Sequence, residues 1–143
     1  MICINRSEAT AVETSKPIGY IDRKQLMSKF DHLGLMQDIN EGISQFRKAQ
    51  PEAMQGFAQL SRAAMTEGAI GSKHKALMAL AIGVTQHCSG CIAFHVKALH
   101  KLGCTRAELE EMLAVCVYMG GGPALMYTAE ALKAWEAMVP ASS

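Results

Sequence analysis

The segment Cys88-Ser89-Gly90-Cys91-Ile92-Ala93-Phe94-His95 sets two thiols three residues apart, with an imidazole four residues beyond the second. On a helix, Cys88, Cys91 and His95 fall on one face at i, i+3 and i+7. Two adjacent thiols interconvert with a disulfide, and a nearby imidazole can take a proton from one of them. The chemistry this spacing points to is dithiol redox chemistry. The same residues admit two other readings. One is a pair of small buried apolar side chains, since unpaired cysteine is commonly buried. The other is a zinc site in which Cys88, Cys91 and His95 are joined by His87 or Cys104; it lacks the second, distant ligand pair of a structural zinc motif.

The residues around the pair suggest a division of labour. Thr85-Gln86-His87 reads as the end of one helix, which puts Cys88 near the start of the next. Unpaired amides and the positive end of the helix dipole favour thiolate there. His95 lies one turn beyond Cys91 and two beyond Cys88, so Cys91 is the better partner for the imidazole. Cys91 is therefore read as the attacking thiol and Cys88 as the resolving one. Ser89 and Gly90 are small, leaving room for a second protein's thiol. His74, His87 and His100 are weaker catalytic candidates, because a single histidine on a helix more often packs or faces solvent. Cys104, behind a helix-ending Gly103, reads as a bystander, Cys3 as part of an arm and Cys116 as core. The charges Glu108, Glu110, Glu111, Lys97 and Lys101 read as solvated helix faces.

The elements that must position these groups are helices; strand signals are almost absent. Residues 1–20, with Pro17 and Gly19 as breakers, read as a loose arm ahead of a single domain over 21–143. Residues 24–49 have helical spacing with a break near Gly34. Pro51 fits the first turn of a helix whose apolar stripe is Met54, Phe57, Leu60 and Ala64, ending at Gly68. Gly71-Ser72, with Ser72 as N-cap, opens a helix over 73–86 that is apolar nearly all round and so predicted to be buried on every side, in a core or a subunit interface. Gly103 closes the dithiol helix. Thr105-Arg106-Ala107-Glu108 reads as a capping box for a helix over 109–119, and Gly120-Gly121-Gly122-Pro123 as a sharp break. A last helix carries the seam Leu125, Thr128, Leu132, Trp135 and Val139. The fold class is all-α, a helical bundle, and two nearly all-apolar helices predict an oligomer.

Bulk properties set the outer limits. A chain of 143 residues can bury one real core. A formal net charge of +1 argues against electrostatic nucleic-acid binding. No apolar run reaches the ~18 residues of a membrane span. The first residues lack a basic start followed by an apolar stretch, so no signal peptide is expected and a cytoplasmic location is the default. Five cysteines then suit unpaired thiols plus one redox pair better than a disulfide framework.

Over residues 73–138, nearly half the chain, the sequence resembles the carboxymuconolactone decarboxylase superfamily, specifically its AhpD-like alkylhydroperoxidase branch. The matching stretches are Lys75-Ala76-Leu77-Met78-Ala79-Leu80-Ala81, the Cys88–Cys91 pair with His95, Gly103-Cys104-Thr105-Arg106-Ala107-Glu108-Leu109, and Met119-Gly120-Gly121-Gly122-Pro123-Ala124. The resemblance implies an AhpD-like helical bundle assembled as a trimer or hexamer; no cofactor and no bound metal are expected. It implies a peroxidase in which Cys91 attacks the hydroperoxide, Cys88 is its disulfide partner and His95 is the proton-relay histidine. A dithiol reductant, lipoyl-protein or thioredoxin-like, would restore the pair. The chain departs from the AhpD pattern at one place: a glutamate twelve residues before the first cysteine is Ala76 here. Glu52 or Glu67 on the preceding helix is the expected substitute, with a water as the other route. Two alternatives stay open: a non-enzymatic redox sensor or disulfide-exchange protein, and a lyase of the decarboxylase branch, which does not use the cysteine pair.

Overall fold

The structure, a computed structural model, describes residues 31–138. They form five helices: α1 (His32–Ala49), α2 (Pro51–Met65), α3 (Ser72–Thr85), α4 (Ser89–Lys101) and α5 (Arg106–Met138). No strand occurs among the described residues, and the all-α expectation holds. The arm over 1–20, the start of the 24–49 helix, Cys3 and Val139 lie outside them.

Helix boundaries follow local chemistry. The break expected near Gly34 is the start of α1: the Asp31 carboxylate accepts the Gly34 N–H at 2.9 Å and caps the helix. Pro51 opens α2 directly after Gln50, where its missing N–H costs nothing. Ser72 is not the N-cap of α3. The Lys75 N–H closes on the Gly71 carbonyl at 3.1 Å, so Gly71 caps and Ser72 is the first helical residue. The capping box at α5 is present: Glu108 accepts the Thr105 N–H at 2.7 Å, and the Glu108 N–H donates to the Thr105 hydroxyl at 3.2 Å.

The core is where α3, α4 and α5 meet. Leu80, Val84, Ile92, Val96, Leu99, Leu109 and Leu113 are buried there with Trp135 at its edge. Each such aliphatic side chain contributes about 1.5–3 kcal/mol by leaving water. Within the chain, burial of α3 is one-sided: Ala76, Leu80, Gly83 and Val84 face the core, while Met78 and Ile82 are exposed. The α2 stripe is likewise open, with Phe57 65% and Leu60 66% exposed and no residue of α2 buried. Helical periodicity marks an apolar face but does not say whether the same chain covers it.

The glycine-proline segment breaks α5 sharply, as expected: Gly121 (φ 63°, ψ −150°) leaves helical geometry, so α5 is two helical stretches joined at a kink, with Pro123 in the turn just after it. The bend resets the helix phase. The buried positions beyond it are Ala124, Ala131, Ala134 and Trp135, whereas Leu125 of the expected seam is exposed. One 18-residue window of α5 has mean hydropathy 1.3, long and apolar enough by composition to span a membrane. Only 17% of that window is buried within the chain, where α5 packs against α3 and α4.

Two helices end in the same way. At the end of α4, Gly103 adopts φ 66°, its N–H donating to the His100 carbonyl and that of Cys104 to the Leu99 carbonyl. At the end of α3 the corresponding residue is His87, with φ 57°. Both are Schellman caps, in which glycine is the usual occupant of the left-handed position. A residue with a Cβ there costs about 1–2 kcal/mol.

A candidate dithiol site at the head of a helix

The chain turns from α3 into α4 within three residues. The His87 N–H donates to the Val84 carbonyl at 3.2 Å and the Cys88 N–H to the Gly83 carbonyl at 2.9 Å, closing α3. Cys88 is at once the last residue of that cap and the N-cap of α4. Its carbonyl accepts the Ile92 N–H at 3.0 Å, and its Sγ accepts the Cys91 N–H at 3.2 Å. Cys88 and Cys91 are joined as a disulfide, their Cα atoms 5.2 Å apart. The sulfur of Cys88 therefore sits on the unpaired amides and positive dipole end of α4, where thiolate is favoured on reduction.

Two glycines fix how closely the neighbouring helices approach. A Cβ on Gly83 would come within 3.1 Å of the Cys91 Cβ, so α3 lies directly against the reactive turn. A Cβ on Gly90 would come within 2.7 Å of the Ile39 Cδ1, so α1 lies on the turn's other side. This revises the reading of Gly90 as an approach for a partner thiol: Ile39 occupies that space.

His95 is half-buried on α4, and burial pushes its pKa below the ordinary imidazole value. At neutral pH it is uncharged and able to accept a proton. Among the described residues it makes no hydrogen bond or ion pair. Glu52 stands exposed in the first turn of α2, and Glu67 stands exposed in the following turn with the Ser72 hydroxyl 3.5 Å from its Oε2. Neither contacts His95 within the chain. Ala76 is fully buried in the core face of α3.

The remaining candidates separate by position. Cys104 lies beyond the far end of α4, whose 13 residues span about 20 Å. It cannot complete a zinc site with Cys88, and burial pushes its thiol pKa up. No group of three or more His, Cys, Asp or Glu among the described residues is arranged to hold a metal. Cys116 is buried core, as read, with the Met112 Sδ at 3.4 Å. His100 stacks on Trp135 at 3.7 Å, a packing role. Glu108 is more than a solvated charge: its Oε1 pairs with the Lys73 Nζ at 2.6 Å, tying the start of α5 to that of α3. That bond, with the Thr105 N–H, pushes its pKa down to about 2.

The sequence did not single out Ile39 or Tyr127. Tyr127 stacks on His87, ring centroids 4.6 Å apart at 14°. The available signal was a histidine where a helix-ending glycine is usual. Beside the dithiol helix, α1 and α2 also frame a groove of about 740 Å³, lined by Ile43, Arg47, Met54, Phe57, Arg62 and, from α4, Phe94.

A five-helix chain with this disulfide turn matches known proteins. Residues 51–134, from α2 through most of α5, match the carboxymuconolactone decarboxylase family, and the chain belongs to that family. It is similar to the crystal structure of an apo carboxymuconolactone decarboxylase family protein from Legionella pneumophila. That match has a TM-score of 0.73 and 50% identity, covering 77% of this chain and 96% of that one. An uncharacterized protein from Cupriavidus necator is 35% identical over 103 residues, 72% of this chain and 91% of its own. Uncharacterized protein 4 in the cox locus of Paracoccus denitrificans is 27% identical over 97 residues, 68% of this chain and 87% of its own.

Proposed function

We propose that this member of the carboxymuconolactone decarboxylase family is of the AhpD-like kind, a thiol peroxidase that reduces hydroperoxides through its Cys88–Cys91 pair. One observation carries the reading: a disulfide at the N-cap of α4, with an uncharged, half-buried imidazole on the same helix. In the reduced enzyme His95 takes the Cys91 proton. The Cys91 thiolate attacks the distal peroxide oxygen, the O–O bond breaks, and the alcohol leaves with a proton. Cys91 is then a sulfenic acid. The Cys88 thiolate attacks its sulfur, releasing hydroxide, which takes a proton to become water, and the disulfide forms. A dithiol reductant, lipoyl-protein or thioredoxin-like, supplies two electrons and two protons to reopen it. The site needs no cofactor and no metal for this cycle.

The carboxylate behind His95 is Glu52 or Glu67. Because neither contacts His95 within the chain, a water or a neighbouring copy makes the connection in a cytoplasmic homo-oligomer, a trimer or hexamer. The test is chemical trapping. Cys88→Ser protein treated with an organic hydroperoxide should carry a sulfenic acid on Cys91, trapped by a 1,3-dione and located by mass spectrometry. Wild type should show the Cys88–Cys91 disulfide instead. Absence of both products rejects the reading. A second reading, a redox sensor whose disulfide toggles without turnover, draws support from the lack of a carboxylate partner for His95 among the described residues.

A further inference from the structure

We propose that His87 is a positioning residue for the dithiol: held in a left-handed conformation and stacked on Tyr127, it fixes Cys88 as the N-cap of α4 and thereby sets the acidity of the Cys88 thiol. This rests on the dithiol reading above.

The molecule carries its own comparison. Where α4 ends, the left-handed position of the cap is Gly103, φ 66°. Where α3 ends, the same hydrogen-bonded cap has His87, φ 57°, a conformation that a side chain with a Cβ resists. His87 is exposed, so burial does not hold it there. The contact that holds its ring is Tyr127, at 4.6 Å between centroids and nearly parallel. Tyr127 comes from α5 beyond Gly121, so the stack ties the dithiol turn to a third helix. Strain that persists beside a reactive group, braced from elsewhere in the fold, points to a role for the geometry it enforces.

That geometry acts on Cys88. Its N–H is bound to the Gly83 carbonyl and its carbonyl to the Ile92 N–H, so its backbone is fixed on both sides. The sulfur is thereby delivered to the Cys91 amide at 3.2 Å. Both chemical steps of Cys88 use its thiolate. It attacks the Cys91 sulfenic sulfur when the disulfide closes. It departs as the leaving group when an incoming dithiol's thiolate attacks the Cys91 sulfur. A more acidic Cys88 serves both at neutral pH.

The experiment reads Cys88 acidity without any peroxide. In a Cys91→Ser background, which keeps the residue-91 amide, the rate of iodoacetamide labelling of Cys88 is followed against pH by mass spectrometry. His87→Ala, which keeps the Cβ but loses the stacked ring, and Tyr127→Ala should each move the titration midpoint up toward ~8.5 and slow labelling at pH 7 by about three- to tenfold. Tyr127→Phe, whose ring stacks equally well, should behave as the parent. His87→Gly, which fits the left-handed position without a brace, should melt no lower than the parent and keep its midpoint, which separates the turn geometry from the imidazole itself. Gly103→Ala, straining the equivalent cap at the far end of α4, should lower the melting temperature and leave the Cys88 midpoint in place. An unchanged midpoint in His87→Ala overturns the proposal even if Tyr127→Ala does not fold, and so does an equal shift in Gly103→Ala. If the midpoints move as expected but no sulfenic acid or disulfide forms with hydroperoxide, the positioning role stands and the peroxidase reading falls.

Discussion

At the scale of single residues, the account turns on His95. Burial lowers its pKa, so it is neutral and basic at pH 7. His95→Ala should slow thiolate attack on hydroperoxide by roughly 10²-fold or more at neutral pH. The wild-type rate should fall as pH drops through the His95 pKa, below the ordinary imidazole value, where the ring becomes charged and cannot accept a proton. Stopped-flow rates from pH 5 to 8 on both proteins check this. An identical acid limb in His95→Ala would remove the base assignment. The Cys88–Cys91 turn at the head of α4 was legible because N-cap position and i, i+3 spacing are local, set by the backbone alone. The neighbours of that turn were not. Ile39 lies on Gly90 from fifty-one residues away, and Tyr127 meets His87 from forty residues away. Such contacts are made by tertiary packing and leave no periodic trace.

At the scale of elements, close approach of α3 to α4 keeps the dithiol turn in register. Gly83→Ala would put a Cβ 3.1 Å from the Cys91 Cβ, a backbone-anchored neighbour with little freedom to retreat. It should lower the melting temperature and slow disulfide closure, measured by thermal unfolding and by quenched alkylation. Gly90→Ala meets only the mobile end of Ile39 and should be milder on both counts. The Lys73–Glu108 pair joins α3 to α5 and has a pH signature. The folded-state pKa of Glu108 is depressed to about 2 from an ordinary 4.5. Its contribution is therefore present above about 4.5 and is lost as pH falls toward 2. Glu108→Gln should lower the melting temperature at pH 6 and narrow its gap from wild type as pH falls through that window; a gap constant down to pH 2.5 would contradict the coupling. Pro51 at α2 and the Thr105–Glu108 box were readable because each is a short-range device. The Ser72 cap was not, because Gly71 just ahead of it offered its carbonyl to the same turn.

At the scale of the whole molecule, the chain leaves large apolar side chains in the open. Phe57 and Leu60 on α2, Met78 and Ile82 on α3, and Val115, Met119 and Met126 with Tyr118 on α5 are all exposed, Tyr118 at 84%. These are the faces whose periodicity announced burial, and what periodicity cannot specify is which chain does the burying. Self-association is the expected cover. Sedimentation at micromolar concentration should show a species of three or six chain masses, and Tyr118→Glu with Met119→Glu should shift it toward smaller species. A wild-type monomer would contradict the proposal. The measurement that bears most directly on the whole account is turnover. Purified protein is given an organic hydroperoxide and an excess of reduced lipoyl dithiol, in parallel with a thioredoxin-type donor, and peroxide consumed is counted per chain. The expected result is many equivalents consumed with at least one donor, abolished by Cys91→Ser; one equivalent followed by arrest with every donor would contradict it and leave a redox sensor in place of an enzyme.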